Sequence, residues 1–220
     1  AGYSFNPTQR SIPFLVGDQS GLNFSASKNT VKISGYLLDP NKSPQGVGNI
    51  IVNITGGATQ QYSSQANGYY EFYVPARSNY TITPDSNLTG YQFVDAQNTS
   101  LHYKGINADT LLSDKSDQNF RADLQNYTIS GIVLNDGNPM TGVTLNLSGT
   151  NYYGNPVNQS LNTGGDGKYS FSVGALGSYT ITPSYSGSEF SPASRTFTSI
   201  VRNETQNFIT TTNTKHVFGF

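Results

Sequence analysis

Apolar and polar side chains alternate along most of this chain, a pattern that predicts β-strands rather than helices. Neighbouring side chains of a strand point to opposite faces of a sheet, so residues at spacing two are expected to face a common core. Such runs are Val31 and Ile33; Ile50, Val52 and Ile54; Tyr80 and Ile82; Tyr127 and Ile129; and Val143, Leu145 and Leu147. Turn-forming segments rich in Gly, Pro, Asn and Asp separate the runs, for example at residues 39–46 and 135–139.

The alternating pattern occurs twice, because the same motifs recur in the same order. The recurring motifs are YTITP (residues 80–84 and 179–183), ISG (33–35 and 129–131), NGYYEF with DGKYSF (67–72 and 166–171) and QNF (118–120 and 206–208). Self-similarity of this kind identifies a repeat architecture. The sequence therefore predicts two full repeats, residues 29–123 and 124–212.

Both ends of the chain match parts of a repeat. GYSFNPTQR at residues 2–10 matches GSEFSPASR at 187–195, so residues 1–28 are expected to form the C-terminal strands of a partial repeat. NTKHVFGF at the C-terminus aligns with NTVKISGY at residues 29–36, the first strand of a repeat. Residues 213–220 are therefore expected to be the first strand of a following or neighbouring repeat. The residues expected to pair between subunits or repeats are Lys215, His216, Val217, Phe218, Gly219 and Phe220.

About seven short strands fit each repeat, which is the strand number of an Ig-like sandwich. The expected fold class is all-β: tandem seven-stranded Ig-like β-sandwiches, with partial repeats at both ends.

The repeats also resemble a known family. ISGxV, DGxYxF, YTITPS, FSPASRTF and a closing NF are similar to motifs of the carboxypeptidase-regulatory-like and prealbumin-like Ig-type repeats of bacterial and archaeal surface proteins. The first repeat departs from this pattern by an insertion around residues 104–114. The resemblance implies a sandwich that serves as a spacer, stalk, adhesin segment or polymer unit, and it implies no enzymatic activity.

Composition narrows the classes of function. Charged residues make up 11% of the chain, against roughly 25% in an average soluble domain, and the net charge is −1. Scattered Lys and Arg side chains disfavour a nucleic-acid partner, which requires a basic surface. The absence of cysteine excludes disulfides and zinc–thiolate sites. No run of about 18 apolar residues predicts a membrane-spanning helix.

The search for catalytic and metal-binding residues is mostly negative. The two histidines, His102 and His216, are not part of a metal-ligand or catalytic motif. Calcium could bind if loop acids gathered in one place, although solvated loop acids are the simpler interpretation; the residues are Asp85, Asp95, Asp109, Asp114 and Asp117. We expect the protein not to be an enzyme and to carry no cofactor other than covalent glycans.

The strongest chemical signal is the acceptor sequence for N-linked glycans, N-x-S/T. The ten candidate sites are Asn23, Asn41, Asn53, Asn79, Asn87, Asn98, Asn126, Asn146, Asn158 and Asn203. Asn41 is the weakest of them, because Pro44 follows its Ser43. Alternation in strands also writes such triplets without any glycan. A surface with few charges, however, needs another source of hydration, and covalent sugar would supply it.

Two further possibilities concern specific side chains. Lys32, Asn119 and Glu71 lie on strands comparable with those that form an isopeptide bond in adhesin-type sandwiches, but Lys32 should face away from the core-directed Ile33. Tyr69 with Tyr70, or Tyr152 with Tyr153, could form a sugar-stacking platform. Adjacent residues of a strand point to opposite faces, so one tyrosine of each pair is expected to belong to the core.

The sequence therefore predicts an extracellular, N-glycosylated structural protein of the cell surface, part of a filament, stalk or sheath. Its expected partners are copies of itself or adjacent repeats of the same chain. The offset ends leave two interpretations open, a segment of a longer tandem array or a subunit whose terminal strands pair with its neighbours. The alternative function is an adhesive or carbohydrate-binding segment of a secreted or surface protein.

Overall fold

A computed structural model describes residues 2–98, 101 and 103–212 of the chain, and the regular elements of these residues are all strands. The strands are β1 (Tyr3–Asn6), β2 (Ser25–Lys28), β3 (Thr30–Leu38), β4 (Ile51–Gly56), β5 (Gln60–Ser63), β6 (Tyr69–Pro75), β7 (Tyr80–Pro84), β8 (Tyr91–Asp95), β9 (Lys104–Ile106), β10 (Phe120–Leu124), β11 (Asn126–Asn135), β12 (Asn138–Pro139), β13 (Thr144–Thr150), β14 (Pro156–Asn162), β15 (Lys168–Gly174), β16 (Ser178–Ser184), β17 (Ser188–Ser191), β18 (Arg195–Phe197), β19 (Glu204–Thr205) and β20 (Phe208–Thr212).

The described residues divide into two compact units. The first contains those up to Asp85 together with Phe93–Asp123, and the second contains Ser86–Gln92 together with those from Leu124 onward. Each unit has its own sheets and its own buried core. Nowhere in the part of the chain that the structure describes is there a helix with the length and apolarity that crossing a bilayer requires.

The first unit is a sandwich of two four-stranded sheets, in the orders β6-β3-β10-β8 and β5-β4-β7-β9. Its strands show why alternation forms a core. In β6, Tyr70, Phe72 and Val74 are buried, while Tyr69 and Tyr73 face outward. Burial of such apolar side chains is the main stabilising contribution to a sandwich.

The second unit repeats this architecture. One sheet has the order β14-β13-β16-β18, and the other is built around β11, which pairs with β15 on one side and with β19 and β20 on the other. The core of this unit contains Ile129, Val133, Val143, Leu145, Leu147, Tyr169, Phe171, Val173, Tyr179, Ile181, Phe197, Ile200 and Phe208. Four of the residues that the sequence predicts to face a core are among them, Ile129, Val143, Leu145 and Leu147, and Tyr127 packs against this core as a partly buried side chain.

The strand inventory refines the sequence prediction. Within the described residues the first sandwich has eight strands and the second has ten, because short segments such as β12 and β19 add to the seven expected. The insertion expected at residues 104–114 begins with β9, which pairs with β7 as β18 pairs with β16. Residues 104–106 are therefore the equivalent of β18 in the first repeat. The expectation that these three residues belong to an insertion is wrong.

A buried tyrosine hydroxyl forms a hydrogen bond with the backbone at the equivalent position of each sandwich. Tyr70 and Tyr169 donate to the carbonyls of Gln118 and Gln206, which immediately precede the closing Asn-Phe of each repeat. Burial raises the pKa of both tyrosines above the ordinary range, so both remain protonated donors. The NGYY and DGKY motifs therefore supply the hydroxyl that holds the end of each repeat against its first strand.

Candidate assembly edge and glycosylation sites

The N-terminal strands β1 and β2 pair in the same register as the closing strands of the second sandwich. Tyr3 lies opposite Lys28 and Asn6 opposite Ser25. In the second sandwich Ser188 lies opposite Thr212, and Ser191 opposite Ile209. The sequence alignment of residues 2–10 with 187–195 equates these same positions. Strands β1 and β2 are thus a structural copy of β17 and β20.

The two copies differ in what covers them. Phe24 is 49% exposed, whereas its counterpart Phe208 is fully buried. The loop between β1 and β2 exposes further large apolar side chains, namely Phe14, Leu15 and Val16. Exposed contiguous apolar surface of this kind marks an interaction site in a folded protein.

The backbone of β2 is open on one edge. In the second sandwich β20 lies between β17 and β11, and Val133 of β11 is the parallel partner of Phe208. Strand β2, by contrast, pairs with β1 alone among the described residues. An open edge presents unpaired N–H and C=O groups that another strand can bind. The strand expected at residues 215–220, including His216, lies outside the described residues.

Nine of the ten candidate glycosylation residues have exposed positions, and the tenth is half-buried. The exposed residues are Asn23, Asn41, Asn79, Asn87, Asn98, Asn126, Asn146, Asn158 and Asn203. Exposure of the amide is necessary for attaching a bulky glycan. Two of the side-chain oxygens already accept backbone N–H bonds, Asn79 from Ala108 at 2.7 Å and Asn203 from Thr128 at 2.9 Å. A glycan attaches to the amide nitrogen, so these bonds leave the attachment atom available.

Asn53 and Asn146 occupy the same position in the two repeats but differ in accessibility. Each lies three residues before a glycine at which a strand ends or bends, Gly56 and Gly149. Asn53 is half-buried, and its amide donates to the Thr83 carbonyl at 3.5 Å. Asn146 is exposed. The folded chain therefore presents Asn146 for modification more openly than Asn53.

Asn146 and Asn158 also share one face of a sheet. Asn146 lies opposite Ser160, and Asn158 lies opposite Ser148, two residues along the same strand pair. Their side chains project from the same side because residues at spacing two share a face. Glycans on both would stand next to each other on the outside of the second sandwich.

The isopeptide possibility is not supported by the positions of its three residues. Lys32 Nζ lies 4.0 Å from Glu71 Oε2 in a partly exposed ion pair. Asn119 instead accepts a bond from the Tyr36 backbone N–H at 2.9 Å. Lys32 therefore faces outward, as its spacing from Ile33 predicts, and Asn119 has a structural role in closing the sheet.

The tyrosine pairs form no flat platform. Tyr70 is buried, as expected of one member of its pair, and Tyr69 is half-buried with its hydroxyl donating to Glu71 at 2.7 Å. Tyr152 and Tyr153 are both half-buried and contact each other edge to face, with ring centroids 5.4 Å apart. Neither pair presents two coplanar ring faces.

Two of the acidic side chains considered for calcium have separate partners. Asp114 accepts the Lys32 backbone N–H at 2.7 Å, and Asp95 is buried beside Lys104. No cluster of three or more potential metal ligands occurs among residues 2–98, 101 and 103–212. His102 lies outside the described residues.

The buried pair of Lys104 and Asp95 was missed by sequence reasoning. Lys104 Nζ lies 2.5 Å from Asp95 Oδ1, with the two side chains 4% and 11% exposed. Burial opposes the charge of Asp95, but hydrogen bonds from Lys104 and the Gln97 backbone outweigh it and hold the pKa of this carboxyl below its usual value. One signal was available, because Lys104 lies at spacing two from the apolar Ile106 and so faces the core.

Comparison with known proteins supports the fold. No family model matches the chain. The chain is 29% identical over 149 residues to chitinase ChiA of Flavobacterium johnsoniae, an alignment that covers 67% of this chain and 9% of that protein. The structure of the Bacillus anthracis TIE protein matches with a TM-score of 0.57 and 14% identity, over 86% of this chain and 37% of that one.

A minor pilin of Streptococcus agalactiae, GBS52, also matches, with a TM-score of 0.36 and 11% identity over 86% of this chain and 99% of that one. The chain thus spans well under two thirds of the chitinase and of the TIE protein. The likeness to the TIE protein, with the two layered sheets in each unit, confirms the predicted all-β sandwich fold. The finer resemblance to carboxypeptidase-regulatory-like repeats stays a prediction.

Proposed function

We propose that this chain is a structural subunit or segment of an extracellular, N-glycosylated filament, stalk or sheath built from tandem Ig-like repeats. The observation that carries the proposal is the copy of closing strands at β1 and β2. These strands have the register of β17 and β20 but expose Phe24 and one strand edge, so their natural partner is another strand of the same kind of repeat.

The mechanism is mechanical. Each sandwich is held by ladder hydrogen bonds and a buried core, and each added repeat or copy contributes the strands that the previous one lacks. A head-to-tail contact that does not close into a ring propagates as a fibre. The acceptor asparagines are exposed on both sandwiches, which supports a sugar coat around such a fibre.

Electron microscopy of material from the source organism tests this function. Gold-labelled antibodies raised against residues 2–28 and against the second sandwich should both decorate extended surface fibres, the first only after mild denaturation, because assembly covers β2. Antibody signal confined to dispersed particles in the medium would contradict the proposal.

A second candidate function is favoured by one feature of the first sandwich. Tyr36 and Tyr69 are cross-strand partners with ring centroids 5.3 Å apart and ring planes tilted by 60°, and Tyr73 is 57% exposed on the same face as Tyr69. Aromatic side chains on a flat sheet face can stack on sugar rings. Together with the likeness to a chitinase, this favours an adhesive or carbohydrate-binding segment as the alternative.

Binding to immobilised polysaccharides and to a glycan array separates the two functions. Carbohydrate binding that is lost in Tyr73→Ala but kept in Tyr185→Ala, an exposed tyrosine of the other sandwich, would favour the alternative. Absence of binding to any glycan favours the purely structural function.

A further inference from the structure

The N-terminal segment carries a second copy of a motif from the end of the first sandwich. DQSGLNF at residues 18–24 shares its Asp, Ser, Asn and Phe, in register, with DKSDQNF at residues 114–120. The backbones agree as well, because Gly21 (φ 72°) and Asp117 (φ 61°) adopt the left-handed conformation at the same place in the motif. The two segments are therefore copies of one structural element.

In the first sandwich this motif binds the first strand of the repeat. The Asp114 side chain accepts the backbone N–H of Lys32 at 2.7 Å, and the Asn119 side chain accepts that of Tyr36 at 2.9 Å. The two donors lie four residues apart on β3. The motif therefore binds the backbone of a strand through two side-chain oxygen atoms, which accept hydrogen bonds from its N–H groups.

The second sandwich uses the same device. Asn203 accepts the backbone N–H of Thr128 at 2.9 Å, and Asn207 accepts that of Ile132 at 3.1 Å. These donors are again four residues apart, here on β11. Both complete repeats thus use two side-chain oxygens to hold their first strand.

The N-terminal copy of the motif has no first strand beside it in the described residues. Leu15 is 73% exposed, whereas Leu111, at the same place before the motif, is fully buried. Phe24 is half exposed, whereas Phe120 is fully buried. The oxygens of the Asp18 and Asn23 side chains thus belong to a surface, residues 14–28, that resembles the strand-binding surface of the first sandwich; we call it the strand-binding surface.

The C-terminal segment has the sequence that this surface requires. NTKHVFGF at residues 213–220 matches NTVKISGY at 29–36, and Gly219 falls at the place of Gly35. An added Cβ at Gly35 would run into the carbonyl oxygen of Gln118, so a first strand needs glycine there. His216 and Phe220 fall at the two positions whose N–H groups the motif binds.

We propose that residues 213–220 of a second copy of this chain bind beside residues 18–23 as a parallel strand. The backbone N–H groups of His216 and Phe220 donate to the side chains of Asp18 and Asn23. This inference rests on the proposed structural function and names the contact that propagates it.

The two complete repeats also fix the register of this contact. Ile33 is the parallel partner of Lys115, and Ile129 is the parallel partner of Glu204. The positions equivalent to both pairs are Val217 and Gln19. Paired backbones lie close to 5 Å apart, which suits the geometry of a disulfide, about 4.4–6.8 Å between Cα atoms.

Disulfide trapping tests the register directly, because the full chain has no cysteine of its own. A Gln19→Cys chain and an isotope-labelled Val217→Cys chain are mixed and oxidised, and the expected product is a mixed disulfide dimer. Phe218→Cys is the matched control, since its side chain points to the opposite face of the strand. Mixed dimer in no greater yield than the control overturns the inference.

A second comparison separates the acceptor oxygen from the glycan. Asn23→Ala removes both the oxygen and the acceptor sequence, while Ser25→Ala removes the acceptor sequence alone. Sedimentation velocity should show that Asn23→Ala weakens self-association about tenfold and that Ser25→Ala associates like the parent chain. Equal association of the two variants contradicts the assigned contact. Native fibres without the mixed disulfide would overturn this inference while leaving the structural function standing.

Discussion

Lys104 donates from Nζ to Asp95 Oδ1 at 2.5 Å, and the two side chains form a buried ion pair in a chain that has few charges. Asp95 ends β8 and Lys104 begins β9, so the pair fastens the connection between the two sheets of the first sandwich. Buried ions cost desolvation free energy, and each depends on the other for compensation.

Replacing Lys104 by methionine should therefore destabilise the first sandwich. The variant leaves a buried carboxylate without its partner, and the expected loss is about 3–5 kcal/mol in the free energy of unfolding. Urea unfolding measures it. Lys168→Met is the control, because its ion pair with Asp166 is largely exposed and its loss should not be detectable. Equal effects of the two substitutions would refute a special role for the buried pair.

The same pair predicts how stability depends on pH. The pKa of Asp95 is lower in the folded than in the unfolded chain, so its contribution is present above the unfolded value of about 3.9 and is lost as pH falls through the folded value. The stability difference between the parent chain and Asp95→Asn should accordingly shrink below about pH 4. Urea unfolding at a series of pH values measures this difference. A difference that stays constant down to pH 2 would show that the charge of Asp95 does not matter.

Gly131 should not tolerate a side chain. A Cβ added there would run into the carbonyl oxygen of Gln206 and lie against the Tyr169 ring. Gly131→Ala is expected to cost about 1–3 kcal/mol of stability, the usual price of overpacking. Gly105→Ala is the control, because that glycine is the exposed residue of β9 and an added Cβ there has open space around it. Thermal unfolding compares the two, and equal melting temperatures would argue against the close approach.

Glycan occupancy should differ between equivalent asparagines. Asn146 is exposed and Asn53 is half-buried under a bond to Thr83, so glycopeptide mass spectrometry of native material should find higher occupancy at Asn146. Asn53→Gln should leave the total glycan mass nearly unchanged, whereas Asn146→Gln should lower it. Full occupancy at Asn53 with none at Asn146 would be the opposite of what exposure predicts.

A chain made without the glycan machinery should associate non-specifically. Charged residues form only 11% of the chain, so we expect glycans to supply much of the hydration of its surface. Light scattering of the unglycosylated chain should therefore detect clumping that the native glycoprotein lacks. A soluble, monodisperse unglycosylated chain would argue against this role of the sugar.

Much of the fold could be predicted from local patterns in the sequence. Alternation around Ile33, Ile129 and Leu145 predicted buried strands, because a strand has a strict period of two and its inward positions must be apolar. The repeat also indicated that two similar sandwiches follow each other. Features that depend on contacts between distant residues were harder to predict. The bond from Tyr36 to Asn119 joins residues 83 positions apart, and no local pattern encodes such a distance.

The candidate sites divide in the same way. A three-residue acceptor sequence is a local signal, so the ten asparagines could be named, but the cover of Asn53 by Thr83 comes from a neighbouring strand. The proposed strand-binding role of Asp18 and Asn23 follows from the hydrogen bonds of Asp114 and Asn119, which the sequence does not reveal. The strand-binding surface was identified from hydrogen bonds that the two complete repeats share, and not from the amino-acid sequence alone.

Cryo-electron microscopy of native, source-purified material tests the central claim most directly. The account predicts fibres in which an added strand runs parallel to residues 18–23 and sugar density extends from exposed asparagines such as Asn146. Discrete particles in which no strand lies beside residues 18–23 would contradict it.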